Sequence, residues 1–326
     1  MAKVLVTGAQ GCIGSWVVKQ LLERGDDVII YDLDTKPVRI RKITEPHLVE
    51  RLQIVAGQIE DTATLKALVK DEEITHIVHL AAVLMPFCQA QPVMGGLIDV
   101  IGTLNVFEAA RDAGRHVRIV YASSSAVWSP EHAYDHKKLS EDDPLKPATH
   151  YGVFKQANEG NARAFHAANG ISSIGLRPWA VYGFGRDLGL TADPTLAMQA
   201  VVHGKPFQIR LSGFMDMQYV EDVAATFVGS LFAPLEGAHV FNLAGQVIAM
   251  EELVHLIDRV RPGAAKLLTT GGPQVPVAYQ MDASQLAHHV PGLPTTGLEE
   301  GVRKTIEMFE HELRSAAAPT SSSATD

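Results

Sequence analysis

A tyrosine and a lysine four residues apart, Tyr151 and Lys155, have the spacing of a proton-transfer pair. Residues at positions i and i+4 of a helix lie on one face, with their Cβ atoms about 5–6 Å apart. A phenol with its ordinary pKa near ~10 is a poor base at neutral pH, but a neighbouring ammonium group favours the phenolate. The pair is therefore a candidate general base for a substrate hydroxyl. Because the spacing is common by chance, its meaning depends on the elements that position it.

A glycine-rich turn directly follows the apolar run Lys3–Thr7 near the amino terminus. Its first glycine permits a tight turn from strand to helix, its second lets the backbone approach a pyrophosphate, and its third lets the helix pack closely on the strand. The first turn of the following helix would direct free N–H groups at the phosphates. We therefore predict a dinucleotide site at Gly8, Gly11, Cys12, Ile13 and Gly14.

Asp32 ends the second predicted strand and lies 18 positions beyond Gly14. A carboxylate there accepts hydrogen bonds from both ribose hydroxyls of adenosine and repels a 2′-phosphate, which favours NAD over NADP. Lys36 and Arg39 follow closely and leave NADP open. Beside an oxidised nicotinamide, a tyrosinate at Tyr151 would take the hydroxyl proton as hydride leaves the same carbon. We therefore predict an NAD-dependent enzyme that transfers hydride at a hydroxyl-bearing carbon.

Strands and helices alternate along the first half of the chain. Apolar runs predict strands at Lys3–Thr7, Asp27–Asp32, Leu52–Ala56, Ile74–Leu80, Val117–Ala122 and Ser172–Arg177, and helices at Ile13–Arg24, Ala63–Lys70, Gly102–Ala113 and Val153–Ala168. This order is typical of βαβ units and predicts an α/β fold with a doubly wound parallel sheet of Rossmann type. We expect an NAD-binding domain at 1–178, a smaller, mainly substrate-binding region at 179–315 and a disordered tail at 316–326. A late strand near 239–243 should rejoin the sheet.

The composition is that of a folded globular protein. Hydrophobic residues make up 46%, and the formal net charge of −9 argues against nucleic acid or an anionic membrane as main partner. The first residues lack a signal-peptide pattern, and no uninterrupted apolar stretch approaches the roughly 20 residues of a membrane helix. Two isolated cysteines, Cys12 and Cys88, favour a cytoplasmic location. His76 and His79 would point to opposite faces of a strand, and we predict no metal site.

Further motifs accompany the glycine turn and the YGVFK segment around Tyr151. They are HLAA (His79–Ala82), GTLNVFEAAR (Gly102–Arg111), YASSSAVW (Tyr121–Trp128), LRPWAVYG (Leu176–Gly183), QYVEDVA (Gln218–Ala224) and FNLAG (Phe241–Gly245). Together they resemble the extended short-chain dehydrogenases/reductases, specifically the NAD-dependent epimerase/dehydratase group, over about Lys3–Arg314. The resemblance implies a homodimer in which helices Gly102–Ala113 and Val153–Ala168 form a four-helix bundle.

The resemblance also implies roles for individual residues. Ser124, four residues before Trp128, would hydrogen-bond the reacting oxygen and hold it against Tyr151, with Ser125 as the alternative. Lys155 would bind the nicotinamide ribose. The other implied cofactor residues are Gln58 and Ile59 at the adenine, and Leu80, Ala81 and Ala82 along the path to the nicotinamide and its ribose.

Departures from the family pattern bear on the substrate. Met215 stands where many nucleotide-sugar enzymes carry an arginine for the diphosphate, and a thioether forms no charge-assisted bond. Arg186 and Arg210 remain as anion partners, and Trp179 either shapes the pocket wall or packs in the core. We therefore favour a free sugar, aldonate or other small polyol over a nucleotide sugar. Asp99 replaces a family Asn, which leaves the role of that position open.

Two enzyme hypotheses share these residues. A dehydrogenase would oxidise a hydroxyl of a sugar or sugar acid and release NADH, whereas a nucleotide-sugar epimerase would retain NAD and return hydride to the other face. A dehydratase is disfavoured because Ser125 and Ala126 supply no carboxylic acid. A non-catalytic NAD sensor is disfavoured because Ser124, Tyr151 and Lys155 are all present. The sequence does not decide between the first two.

Overall fold

A parallel sheet of seven strands forms the centre of the protein, in a computed structural model that describes residues 2–135 and 138–317. The strands of the described chain are β1 (Lys3–Thr7), β2 (Asp27–Asp32), β3 (Gln53–Ala56), β4 (His76–His79), β5 (Arg118–Ala122), β6 (Ser173–Arg177), β7 (Ala180–Tyr182), β8 (Phe207–Ile209), β9 (Phe214–Tyr219), β10 (Ala238–Asn242), β11 (Gln246–Ala249) and β12 (Leu268–Thr270). The central order is β10-β6-β5-β4-β1-β2-β3, and every pair is parallel. The predicted doubly wound α/β fold is confirmed.

Helices cover both faces of this sheet. They are α1 (Cys12–Glu23), α2 (Val38–Ile43), α3 (Pro46–Val49), α4 (Thr62–Asp71), α5 (Met85–Ala90), α6 (Pro92–Gly96), α7 (Gly102–Asp112), α8 (His150–Asn169), α9 (Asp193–Val202), α10 (Val220–Phe232), α11 (Met250–Val260), α12 (Ser284–His289) and α13 (Leu298–Ala317). Val4 and Val6 of β1 pack with α1 and α10, whereas Leu5 packs in a second apolar cluster with α4 and α7. Strands buried on both faces explain why β1 and β2 are apolar runs without alternation.

The chain leaves the sheet after β6 and later returns to it. Smaller sheets, β11-β9-β7 and β12-β8, combine β7, β8 and β9 from the interval with β11 and β12, which follow β10. The late strand expected near 239–243 is β10, which pairs in parallel with β6. The expected tail at 316–326 lies outside the described residues from position 318 onward, and α13 includes Ala316 and Ala317.

The helix predicted at Gly102 is the last part of a longer continuous helical run. It consists of α6, a π-helical turn at Leu97–Ile101, and α7. Within the described residues, Pro92–Asp112 has the length and apolar composition of a membrane span, which the sequence pattern did not indicate, and half of its most apolar window is buried in the protein. Core helices share these properties, so the run is weak grounds for a membrane segment.

Candidate active site

The glycine turn is shaped so that backbone, not side chains, faces the cleft. Gly8 has a φ of +70°, and a Cβ there would lie 2.5 Å from the backbone nitrogen of Ala81. A Cβ on Gly14 would overlap the carbonyl of Gly8, so α1 could not pack as closely. No side chain caps α1 at Gly11, which leaves the first-turn N–H groups available for an anion. The turn therefore fits a pyrophosphate.

A cavity of about 440 Å³ lies beside this turn at the carboxyl ends of the strands. We call it the cofactor cavity; its walls include the predicted Gly8, Gly11, Asp32, Gln58, Ile59, Leu80, Ala81 and Ala82, and also Met94 and Ile98, which sequence reasoning missed. The predicted Cys12, Ile13 and Gly14 lie in the first turn of α1. Burial raises the pKa of the Cys12 thiol to about 11, so no thiolate competes with a bound phosphate.

Two charged groups bear on the choice between NAD and NADP. The carboxylate of Asp32 is held by the backbone N–H groups of Gln10 and Leu33, at 2.9 and 2.7 Å. Arg39 donates to the carbonyl of Gln10 and pairs with Asp187 at 2.6 Å, so its guanidinium is already engaged. The arrangement suits adenosine ribose hydroxyls, and the guanidinium of Arg39 is not free to bind a 2′-phosphate.

Tyr151 and Lys155 lie on one face at the start of α8. Thr149 caps this helix by accepting the N–H of Gly152, and a Cβ on Gly152 would overlap the carbonyl of Ala126. The Nζ of Lys155 is 5.4 Å from the ring centroid of Tyr151 and donates to the carbonyl of Ala122 at 3.0 Å. Close packing of α8 therefore brings the phenol beside the segment that follows β5.

The three serines of that segment have different surroundings. Ser123 donates to Glu159 at 2.6 Å and Ser125 donates to the carbonyl of Arg177 at 3.2 Å, and both are buried. Ser124 is partly exposed and accepts the N–H of Ala126 at 3.1 Å. Since Ser124 accepts in this bond, its own proton remains available for a substrate oxygen. Ser125 borders the same space, but its hydroxyl is directed to the sheet.

A second cavity of about 140 Å³ brings together the residues predicted for the substrate. We call it the substrate cavity; Ser124, Ser125, Tyr151, Trp179 and Arg186 all line it. Trp179 is thus a wall residue, fixed by its indole N–H on the carbonyl of Ala278 at 2.7 Å. Sequence reasoning missed the apolar walls Leu84–Pro86, Leu190 and Val275–Val277. The first of these directly follows the HLAA motif and could have been inferred, whereas the last carries no motif.

A family model described as "NAD dependent epimerase/dehydratase family" matches residues 4–244. The chain belongs to that family. It is an enzyme of the extended short-chain dehydrogenase/reductase type, and its cofactor is NAD, as the glycine turn and Asp32 predicted. Tyr151, Lys155 and Ser124 occupy the motif positions on which the resemblance was based.

Relatives in the family act on nucleotide sugars by name. UDP-glucuronate 4-epimerase 3 of Arabidopsis thaliana is 28% identical over 338 residues, covering 92% of this chain and 75% of that protein. UDP-glucose 4-epimerase of Mycolicibacterium smegmatis is 27% identical and covers 95% and 99%. The structure of UDP-glucose 4-epimerase from Thermus thermophilus complexed with NAD has a TM-score of 0.78 and 25% identity, covering 94% and 98%.

In this chain, the positions considered for binding a substrate diphosphate do not all carry a free positive charge. Met215 is completely buried, and Arg210 pairs with the buried carboxylate of Asp193 at 2.6 Å, so it is not the free anion partner that the sequence suggested. Arg186 donates to Thr191 at 3.0 Å, and its Nε is buried without a hydrogen-bond partner. Within the described residues, 2–135 and 138–317, no carboxylate forms an ion pair with Arg186. One guanidinium therefore faces the substrate cavity with its charge uncompensated.

A buried ion pair fixes α8 to the sheet below the catalytic candidates. Arg177 of β6 makes two hydrogen bonds of 2.8 Å to the carboxylate of Glu159, and both side chains are buried. The guanidinium also lies 4.8 Å from the ring centroid of Trp128, which is buried in the core and does not line the substrate cavity. The pair therefore holds α8 at the register that places Tyr151 beside Ser124.

Proposed function

We propose that this enzyme is an NAD-dependent dehydrogenase that oxidises a hydroxyl-bearing carbon of a sugar or sugar acid, with a sugar acid as the preferred substrate. The observation that carries the proposal is the unpaired guanidinium of Arg186 in the same cavity as Ser124 and Tyr151. A carboxylate on the substrate would compensate that charge with bidentate hydrogen bonds. The indole of Trp179 offers an apolar surface to the C–H face of a sugar.

The proposed chemistry assigns one task to each side chain. Bound NAD supplies the hydride acceptor, and the residues fitted to it are the glycine turn, Asp32 and the rest of the cofactor cavity. The hydroxyl of Ser124 donates a hydrogen bond to the substrate oxygen and holds it in place. The ammonium of Lys155 stabilises the phenolate of Tyr151, which takes the proton that the substrate oxygen loses and becomes a neutral phenol. Cofactor binding is proposed mainly within residues 1–178, whereas the substrate cavity is lined from both 1–178 and 179–315.

The alternative is a nucleotide-sugar epimerase that retains NAD, which the names of the relatives favour. Against it stand the volume of the substrate cavity, about 140 Å³, and the lack of a cation at Met215. Pockets for ligands of drug-like size typically measure about 300–1,000 Å³. These features support a small substrate that binds beside Arg186.

A substrate screen tests the proposal. Free sugars, aldonates, uronates and nucleotide sugars are each incubated with the purified enzyme and NAD or NADP, and reduced cofactor is followed by absorbance. We expect NADH with a sugar acid, and a loss of turnover of about 10²–10⁴-fold in Tyr151→Phe with NAD affinity unchanged. Sugar-nucleotide interconversion without net NADH, by protein purified with bound NAD, would establish the epimerase instead.

We also propose a homodimer in the cytoplasm. Val93, Leu97 and Ile101 form an exposed apolar stripe at i, i+4 and i+8, with the exposed Val153 on α8. Helices of a second copy would cover this stripe, as expected of a four-helix bundle. Leu97→Glu should then convert a dimer to a monomer in analytical ultracentrifugation, and a monomeric parent protein would refute the proposal. The location rests on two unpaired cysteines and is testable by cell fractionation.

A further inference from the structure

Arg39 of α2 connects two parts of the molecule that are far apart in sequence. Its Nη1 donates to the backbone carbonyl of Gln10 in the glycine turn, and its Nη2 pairs with the carboxylate of Asp187 at 2.6 Å. Asp187 belongs to the connection between β7 and α9, which we call the 183–192 loop. The same loop carries Arg186, the proposed partner of a substrate carboxylate. One guanidinium therefore contacts the cofactor turn on one side and the substrate loop on the other.

On the cofactor side, Arg39 binds a residue that also holds the ribose-binding carboxylate. The backbone N–H of Gln10 donates to Asp32 at 2.9 Å, and its side-chain amide donates to the carbonyl of Asp34 at 3.2 Å. Gln10 thus has its N–H on Asp32 and its carbonyl on Arg39. A dinucleotide that fixes Asp32 and the glycine turn therefore also fixes the carbonyl to which Arg39 donates.

On the substrate side, the start of the 183–192 loop is fixed, but its middle is exposed. The buried indole N–H of Trp16 donates to the carbonyl of Phe184 at 3.0 Å, whereas Leu188 is 68% exposed. Beyond Phe184, among the described residues, the pair of Asp187 with Arg39 is the hydrogen-bonded link from this loop to residues 1–178. The position of the loop around Arg186 therefore depends on that pair.

Packing strengthens a contact that an exposed ion pair alone would make weak. The side chain of Asp187 is 56% exposed and that of Arg39 is 21% exposed, and pairs in solvent contribute little by themselves. The aliphatic stem of Arg39, however, lies against the loop backbone, since a Cβ on Gly185 would be 2.8 Å from its Cδ. Gln10, Arg39, Arg186 and Asp187 also line one cavity of about 310 Å³. The contacts therefore form a continuous path between the two sites.

We propose that Arg39 is a positioning residue that couples NAD binding to the placement of Arg186. With the glycine turn and Asp32 fixed by the cofactor, Arg39 holds Asp187 and keeps the guanidinium of Arg186 at the substrate cavity. The inference deepens the proposed function and rests on the role given there to Arg186. A ligand orders a segment only through contacts that differ between the arrangements of that segment, and the Arg39–Asp187 pair supplies such a contact. Because coupling is reciprocal, an anion bound at Arg186 would also tighten NAD binding.

Hydrogen–deuterium exchange with and without NAD tests this coupling and needs no substrate. In the parent protein we expect NAD to slow exchange of the backbone amides in 184–192 by about 5-fold, at the lower end of couplings between sites, and in Arg39→Gln by less than about 2-fold. Exchange at residues 8–14 should slow in both proteins, which shows that NAD is bound. Lys42→Gln is the matched control, because Lys42 lies on the same helix and lines the same cavity but pairs with Glu312. Its loop should respond to NAD as in the parent.

Equal slowing of the 184–192 amides in the parent and in Arg39→Gln would overturn the proposal, and so would a parent loop that does not respond to NAD. If Arg39→Gln fails to fold or to bind NAD, the exposed Asp187→Asn removes the other partner at a distance from the glycine turn, and a loop response like that of the parent would again overturn it. The substrate screen fails separately. Coupling without turnover of any sugar acid would defeat only the proposed function, whereas turnover without coupling would defeat only the role of Arg39.

Discussion

The cofactor cavity and the substrate cavity are neighbours along the chain but are built differently. Leu80–Val83 line the first and Leu84–Pro86 the second. Backbone shapes the glycine turn of the cofactor cavity, where a Cβ would meet main-chain atoms. Side chains from distant segments shape the substrate cavity, including Trp179, Arg186 and Val275–Val277. The glycine turn therefore tolerates few substitutions, whereas single substitutions in the substrate cavity can change substrate specificity.

Gly8→Ala tests the glycine turn of the cofactor cavity and should have the largest effect. The added Cβ would lie 2.5 Å from the backbone nitrogen of Ala81, at a φ of +70° that disfavours alanine. Steric overlap and backbone strain together should lower the free energy of unfolding by about 3–5 kcal/mol and weaken NAD binding. Chemical denaturation and calorimetry measure the two effects.

Gly25→Ala is the matched control for this substitution. Its φ is +86°, yet nothing lies within 4 Å of the added Cβ. It should cost only about 1 kcal/mol, from the left-handed backbone. Equal effects of the two substitutions would show that the close approach to Ala81 does not matter.

Arg186→Gln tests the substrate cavity. Losing the charge should raise the KM for an acidic substrate about 10–100-fold, since hydrogen bonds to charged groups contribute about 1.5–3 kcal/mol. NAD affinity and stability should change little. Steady-state kinetics with an acid and its neutral analogue measure the effect, and an equal loss for both substrates would contradict the assigned role.

Arg210→Gln is the control for Arg186→Gln, because Arg210 already pairs with Asp193. Its partner Asp193 is buried, so removing the guanidinium should lower the unfolding free energy, by an amount that solvent screening reduces because the Arg210 side chain is 63% exposed. Substrate KM should remain the same. A KM effect equal to that of Arg186→Gln would mean that both arginines bind substrate.

A last prediction concerns pH and the buried Asp216, which lies outside both cavities. This carboxyl accepts from Gln218 and Gly245, and burial raises its pKa to about 6. The native state therefore keeps a proton that the unfolded state has lost, so stability should fall as pH rises from about 4 to 6 and then level off. The total change is about 3 kcal/mol, because the pKa of 3.8 rises to about 6 and each pKa unit corresponds to about 1.4 kcal/mol. Asp216→Asn should flatten this dependence in urea denaturation, and an unchanged slope would exclude Asp216 as its source.

Local sequence signals indicated most of the residues that line the cofactor cavity. The glycine turn and Asp32 depend on residues close in sequence, so their spacing indicates their geometry. The α6 segment was missed because Pro92, Gly95 and Gly96 are typical of loops. Tertiary packing overrides that preference, since Gly95 lies against Cys88 and Phe154, where a Cβ would be tight.

The substrate half depends on contacts that no local pattern encodes. Arg186 and Arg210 are equivalent in sequence terms, and only the position of Asp193 shows which one is already paired. Val275–Val277 reach the cavity from a segment without regular structure, so periodicity gives no signal for them. Asp99 was noticed as a departure from the family, but its burial in a π-helical turn required the fold.

The return of β10 to the central sheet has a consequence for engineering and evolution. Because β10 pairs along β6, a fragment cut after residue 178 would expose β6 as a new edge, open to aggregation. The substrate region is therefore divided by β10, with one part before this strand and another, including Val275–Val277, after it. A chimera that imports another specificity must join the two parents at three points, before β7, before β10 and after β10.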